Sequence, residues 1–175
     1  MTEQQPYEVL REYADFELRR YPEHVVAETH VKGSFEGAGN KSFPRLAGYI
    51  NGRNRQSKKV AMTAPVVQEG EEGRSGHDVV GFVMPADLER QGAPEPTDPH
   101  VRLRTVPAQT AAAWRFSGRW SRGRYEDHAR RLLTALKDAG LEVEGPPRFA
   151  RFDPPWTPWF LRHNEVVVPV RPPAD

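Results

Sequence analysis

Phe16-Glu17-Leu18-Arg19-Arg20-Tyr21-Pro22-Glu23-His24-Val25-Val26-Ala27-Glu28-Thr29-His30-Val31-Lys32-Gly33-Ser34-Phe35 decides the reading of this chain, because a related run follows 85 positions later, the distance from Leu18 to Leu103. In Val101–Trp120 the pairs Leu18/Leu103, Arg19/Arg104, Pro22/Pro107, Ala27/Ala112 and Gly33/Gly118 are identical, and Phe16/Val101, Val31/Phe116 and Phe35/Trp120 keep apolar character. Average residue usage predicts only about one or two identities over such a stretch. Both copies alternate apolar and polar residues, the period of a half-buried strand, and both run into a helical pattern. The sequence therefore predicts an internal duplication, with pseudo-repeats over about 7–90 and 99–170 inside one domain spanning 1–175. Two such halves would pair their sheets and leave a cleft between sheet and helices.

Outward from the repeat, Tyr7–Tyr13 also alternates as a strand, with a tight turn at Ala14-Asp15 before Phe16–Tyr21. A helix is expected over 38–51, since Phe43, Leu46, Ala47 and Ile50 fall at i, i+3, i+4 and i+7. Pro44 is then expected in its first turn and Gly52 at its end. Val60–Val67 reads as a short strand bent or placed at an edge by Pro65. Residues 69–76 read as a solvated loop, Val79–Met84 as a buried strand, and 85–99 as a proline-rich connection. Tyr125, Ala129, Leu132, Leu133 and Leu136 mark a second, longer helix stopped at Gly140. Phe149–Phe152 and Glu165–Val170 are expected as closing strands around the Pro- and Trp-rich segment 153–160.

Composition excludes several classes of function. A net charge of +1 gives no overall basic field to draw the chain to nucleic acid or anionic lipid. Zero cysteines exclude disulfides, thiolate metal sites, iron–sulfur clusters and a cysteine nucleophile. No signal peptide or stretch of about 18 apolar residues is visible, so a cytoplasmic chain is expected. His24 and His30 share a strand face, but six strand residues separate them by about 20 Å, too far for one ion. No HxxxH, HExxH, GxSxG, GxGxxG or P-loop pattern occurs, so the common metal, nucleophile and nucleotide sites are absent from the sequence. The identity of any metal-binding residue stays open, and the residues favour a binding protein over an enzyme.

The run Lys59-Val60-Ala61-Met62-Thr63-Ala64-Pro65-Val66 resembles the (I/V)-x-M-T-x-P-V strand of the SOUL/haem-binding protein family. Tyr7–Leu10 with Phe16–Tyr21 is similar to that family's opening hairpin. Phe43-x-x-Leu46-x-x-Tyr49-Ile50-x-Gly52-x-Asn54 is similar to its first helix, and Phe152-Asp153-Pro154-Pro155 with Arg162-x-Asn164-Glu165-Val166 to its C-terminal signature. The four segments lie in order over about residues 7 to 170. The resemblance implies an α+β fold, a distorted β-barrel of two pseudo-repeated halves of antiparallel strands flanked by two long helices, similar to the effector-binding domains of bacterial regulators.

For function, the resemblance implies a carrier or buffer of haem b or a related tetrapyrrole. Some members carry a His just before the Tyr that ends the second strand, proposed as an axial ligand, whereas this chain has Arg20 there. His24, four strand residues on, lies about 13 Å away. The sequence thus fits binding without an axial His, through an apolar groove with cations for the propionates. Phe43, Leu46, Tyr49, Ile50, Met62, Trp156, Trp159 and Phe160 are the candidate walls, and Arg53, Arg55, Lys58 and Arg162 the candidate anchors. Each position has a plainer alternative. The helix face serves equally as core, Met62 as packing, the Trp pair as a plug, and the basic run 52–59 as a solvated loop. Two other classes remain open: an effector-binding domain sequestering aromatic or cationic compounds at a residue such as Glu165, and an enzyme drawing on His163, Tyr125 or Glu165.

Overall fold

The computed structural model describes residues 2–71, 73–88 and 90–174. Glu72, in the expected loop, and Glu89, in the expected connection, lie outside the described residues. In chain order the elements are β1 (Glu3–Gln4), β2 (Glu8–Glu12), β3 (Glu17–Tyr21), β4 (His24–Lys32), α1 (Phe35–Ile50), β5 (Thr63–Ala64), β6 (Val66–Gly70), β7 (His77–Val83), β8 (Arg102–Val106), β9 (Gln109–Phe116), α2 (Arg122–Asp138), β10 (Arg148–Arg151) and β11 (Asn164–Pro169), with a 3-10 turn at Trp159–Leu161.

The chain divides into two compact units. The first contains the described residues of Met1–Gln5 and Glu23–Pro107, the second those of Pro6–Pro22 and Ala108–Asp175. Each unit therefore draws strands from both residues 16–35 and residues 101–120. In the first, β8, β4, β7 and β6 lie side by side and antiparallel, and β1 pairs with β5 in parallel. In the second, β2, β3, β9, β11 and β10 are neighbours in that order, also antiparallel.

The registers follow the 85-residue spacing. Tyr21 stands opposite Gln109 and Glu17 opposite Ala113 in the second unit, while His24 stands opposite Val106 and Glu28 opposite Arg102 in the first. Each of these pairings becomes the other when its residues are moved by the repeat distance. Gly33 and Gly118 are likewise equivalent: both take positive φ, 133° and 127°, where a side chain would be strained.

α1 begins three residues earlier than its apolar stripe suggests. Ser34 caps it by accepting from the Gly37 N–H, and Gly37 and Gly39 are carried inside the helix. Pro44 sits in the interior, not in the first turn. It lies with Asn40 on the exposed face, where solvent can satisfy the carbonyl that proline cannot bond. The opposite face holds the helix in place. Leu46, Tyr49 and Ile50 enter a core with Val25, Ala27, Val31, Val80, Phe82 and Met84. α2 follows its expected stripe: Ser121 accepts from the Arg124 N–H, and Tyr125, Ala129, Leu132 and Leu136 are buried. Pro65 divides the strand expected over 60–67 into β5 and β6.

Candidate functional site

Strand alternation places Glu17, Arg19 and Tyr21 of β3 on one face of the second unit's sheet. Arg19 stands opposite Ala111, Glu17 opposite Ala113, and Ala113 opposite Val167. Glu165 stands opposite Ala150 on β10. The floor of this face is made of buried alanines, so a long side chain on β3 can reach across β9 to β11. Arg19 does so. Its Nη1 and Nη2 donate to Glu165 Oε1 and Oε2 at 2.6 and 3.0 Å, a bidentate pair. Its Nε donates to Glu17 Oε2 at 2.8 Å, Nη1 also donates to the Tyr21 hydroxyl at 3.0 Å, and Cζ lies 3.9 Å from the Tyr7 ring centroid.

The far side of Glu165 is equally engaged. His163 Nε2 lies 2.8 Å from Glu165 Oε2, and its ring stacks on Phe152 at 4.0 Å. The His163 backbone N–H donates to Asp153 Oδ2 at 2.5 Å. Arg148 stands over Tyr21 at 5.3 Å and donates to Gln109 Oε1. Burial acts to raise the Glu165 pKa, but the bonds from His163 and Arg19 outweigh it and hold the carboxyl below its ordinary range. Burial likewise acts to lower the Arg19 pKa, and the bonds to Glu165 reverse the outcome, so the guanidinium stays charged. Burial pushes Tyr21 up.

A lowered carboxyl stabilises the fold above the ordinary carboxylate range, and that contribution disappears as pH falls through the folded-state pKa. Urea unfolding between about pH 6 and pH 3 should therefore show a shallower fall of stability for Glu165→Gln than for the unaltered chain, by up to about 1.4 kcal/mol per pH unit. Equal slopes would contradict the assignment.

The second feature of this unit is the segment from Asp153 to Leu161. Arg162 holds it from within: Nε donates to the Thr157 carbonyl at 2.9 Å, Nη2 to the Pro155 carbonyl at 2.8 Å, and the guanidinium covers Trp120 at 4.1 Å. Trp120 in turn donates to Asn164 Oδ1 at 2.8 Å. The loop turns its aromatics outward. Trp156 is 83% exposed, and Trp159, Phe160 and Leu161 are exposed beside it. The Trp159 and Phe160 rings meet edge-on at 5.5 Å, and Arg119 lies 5.3 Å from Trp159.

The candidate residues thus fall into two groups. Trp156, Trp159, Phe160 and Arg162 come together in the second unit, with Arg162 occupied in shaping the loop. In the first unit, Leu46, Tyr49 and Ile50 are packed in the core, and the Tyr49 hydroxyl donates to the Pro94 carbonyl at 2.6 Å with its pKa pushed up to about 12 by burial. Phe43 and Met62 are exposed, Phe43 touching Phe82. Arg53, Arg55 and Lys58 are exposed on a turn that Asn54 ties to Tyr49 and Lys58. Tyr125 is buried and donates to the Ala150 carbonyl at 3.2 Å. Arg20 lines a groove of about 410 Å³ with Thr110, Glu144 and Pro169. Sequence reasoning missed Arg19, Tyr7, Tyr21 and Arg119. The sequence signal for Arg19 was its identity with Arg104 in the repeat.

A family model described as SOUL heme-binding protein matches residues 2–169, nearly the whole chain. The chain belongs to the SOUL heme-binding protein family. Among curated proteins, Heme-binding protein 2 of Mus musculus is 24% identical over 140 residues, covering 77% of this chain and 68% of that protein. Solved structures share the fold of this SOUL-family chain. The EcmrR C-terminal domain superposes with a TM-score of 0.69 at 17% identity, covering 94% of this chain and 98% of that one. A hydrolase encoded by lin2189 from Listeria innocua gives 0.67 at 12% identity, covering 91% and 94%. SAV2435 bound to tetraphenylphosphonium gives 0.52 at 8% identity, covering 90% and 99%. The expected α+β class and the likeness to an effector-binding domain both stand. No helix among the described residues is long and apolar enough to cross a membrane.

Proposed function

We propose that this SOUL-family chain binds haem b or a related tetrapyrrole in the cytoplasm, as a carrier or buffer, with a small molecule and not nucleic acid as its partner. The family match carries the reading. The exposed indoles of the 153–161 segment support it, because contiguous apolar surface left to solvent marks a binding face. Trp156 and Trp159 would offer flat surface to a macrocycle, and Arg119 beside Trp159 a cation for a propionate. Arg20 stands before Tyr21 and His163 Nε2 is taken by Glu165, which supports a tetrapyrrole held by stacking and charge without an axial ligand from either position. When bound, haem would supply its own redox-active iron, while the chain would supply apolar cover and charge for the carboxylates.

A cation-sequestering role at Glu165 would need that carboxylate to be free. Glu165 is neutralised by Arg19, which favours the acidic macrocycle as ligand.

Titrating haemin into micromolar protein and following the Soret band tests the proposal. Saturable binding is expected, weakened about tenfold or more in Trp156→Ala/Trp159→Ala, the equivalent of about 1.4 kcal/mol. Absence of saturation would remove the carrier reading, and an unchanged affinity in the double variant would move the site elsewhere.

A further inference from the structure

We infer that Arg19 is the built-in occupant of a cation cage in the second unit, and that the cage without this side chain is a binding site for a small alkylguanidinium. The cage is formed by Glu165, Glu17, Tyr7 and Tyr21, and His163 braces Glu165 from behind. Two carboxylates, a hydroxyl and a ring face together match every recognition mode open to a guanidinium: bidentate pairing, single hydrogen bonds and stacking on π density.

The strand position does not demand this. Arg104 stands 85 positions from Arg19 and also pairs with a buried glutamate, Glu28, yet its side chain is 44% exposed. The Arg19 side chain is only 5% exposed. Enclosure therefore comes from the cage's own residues and not from the backbone. One wall, Tyr7, is 40% exposed, which gives a solute a route in once the arginine is gone. In the unaltered chain the carboxylates are taken, so a cationic ligand meets no free anion there. Arg19 thereby acts as a specificity-determining residue against cations, whether or not a tetrapyrrole binds.

Arg19→Ala removes the atoms of an N-ethylguanidinium, the probe for the test. Thermal unfolding is followed with 0 to about 20 mM ethylguanidinium chloride, against equal sodium chloride, for the unaltered chain, Arg19→Ala and Arg19→Ala/Glu165→Gln. Stabilisation of Arg19→Ala alone is expected, rising with probe concentration to about 5 °C at the top of the range. If Arg19→Ala fails to fold by itself, the cage predicts that it folds when refolded with the probe. Failure of the probe to stabilise or refold Arg19→Ala would overturn the inference. So would equal stabilisation of the unaltered chain or the double variant, or an equal effect of sodium chloride.

Discussion

Glu165→Ala is expected to lower the unfolding free energy by about 3–5 kcal/mol, because it leaves the Arg19 guanidinium buried without its bidentate partner. Both side chains are almost fully withdrawn from water, at 5% and 2% exposure, so solvent screening does little to soften the loss. For a chain of this size that corresponds to a fall in Tm of roughly 6–20 °C. The cost belongs to the buried charge, left with Glu17 as its remaining carboxylate, more than to the pair. Arg19→Met/Glu165→Leu, which removes both charges and fills the volume, should therefore recover most of the stability. The exposed counterpart gives the contrast. Arg104→Ala should cost under about 1 kcal/mol, since Arg102 also donates to Glu28 at 3.0 Å and Arg104 is well solvated. Urea unfolding of the three variants beside the unaltered chain checks the series. A cost for Glu165→Ala no greater than for Arg104→Ala would show that the Arg19–Glu165 pair carries no special share of the stability.

Leu46→Ala should cost about 2–5 kcal/mol, while Phe43→Ala, three residues earlier on the same predicted stripe, should cost well under half as much. Leu46 is 0% exposed and sits among Val25, Ala27, Val80 and Phe82, where truncation leaves a cavity that the two-sided packing cannot close. Phe43 is 53% exposed, its ring tilted against Phe82 at 5.8 Å. The same pair separates packing from ligand binding. Haemin affinity measured on folded Leu46→Ala should stay within about threefold of the unaltered value if the exposed indoles of the second unit form the wall. A loss beyond tenfold would return the first helix to the site. Equal destabilisation by the two substitutions would contradict the helix orientation.

Much of this molecule is legible in the order of its residues. Alternation marked strands within residues 16–35 and 101–120, where β3, β4, β8 and β9 lie, because the side-chain period of a strand is fixed at two. Local chemistry likewise set the α2 stripe and the break at Pro65. The start of α1 was misjudged because glycines read as loop residues, whereas Ser34 caps the helix and the core behind Leu46 and Tyr49 outweighs their low propensity. The site was only partly readable. Trp156, Trp159 and Phe160 stood out by composition, but Leu46, Tyr49 and Ile50 share their residue types with a ligand wall, and only packing shows them enclosed.

By itself the sequence determined the family, the strand and helix periods and the 85-residue correspondence, all of them properties of local spacing. Only the tertiary structure decided that β3 joins β9 and β4 joins β8, so that each unit combines a strand from residues 16–35 with one from residues 101–120. It alone decided that Arg19 meets Glu165, 146 residues away, across a floor of alanines. The physical reason is that a buried charge is tolerated only where a partner reaches it, and pairing at that separation is set by strand register in space, which no local pattern encodes.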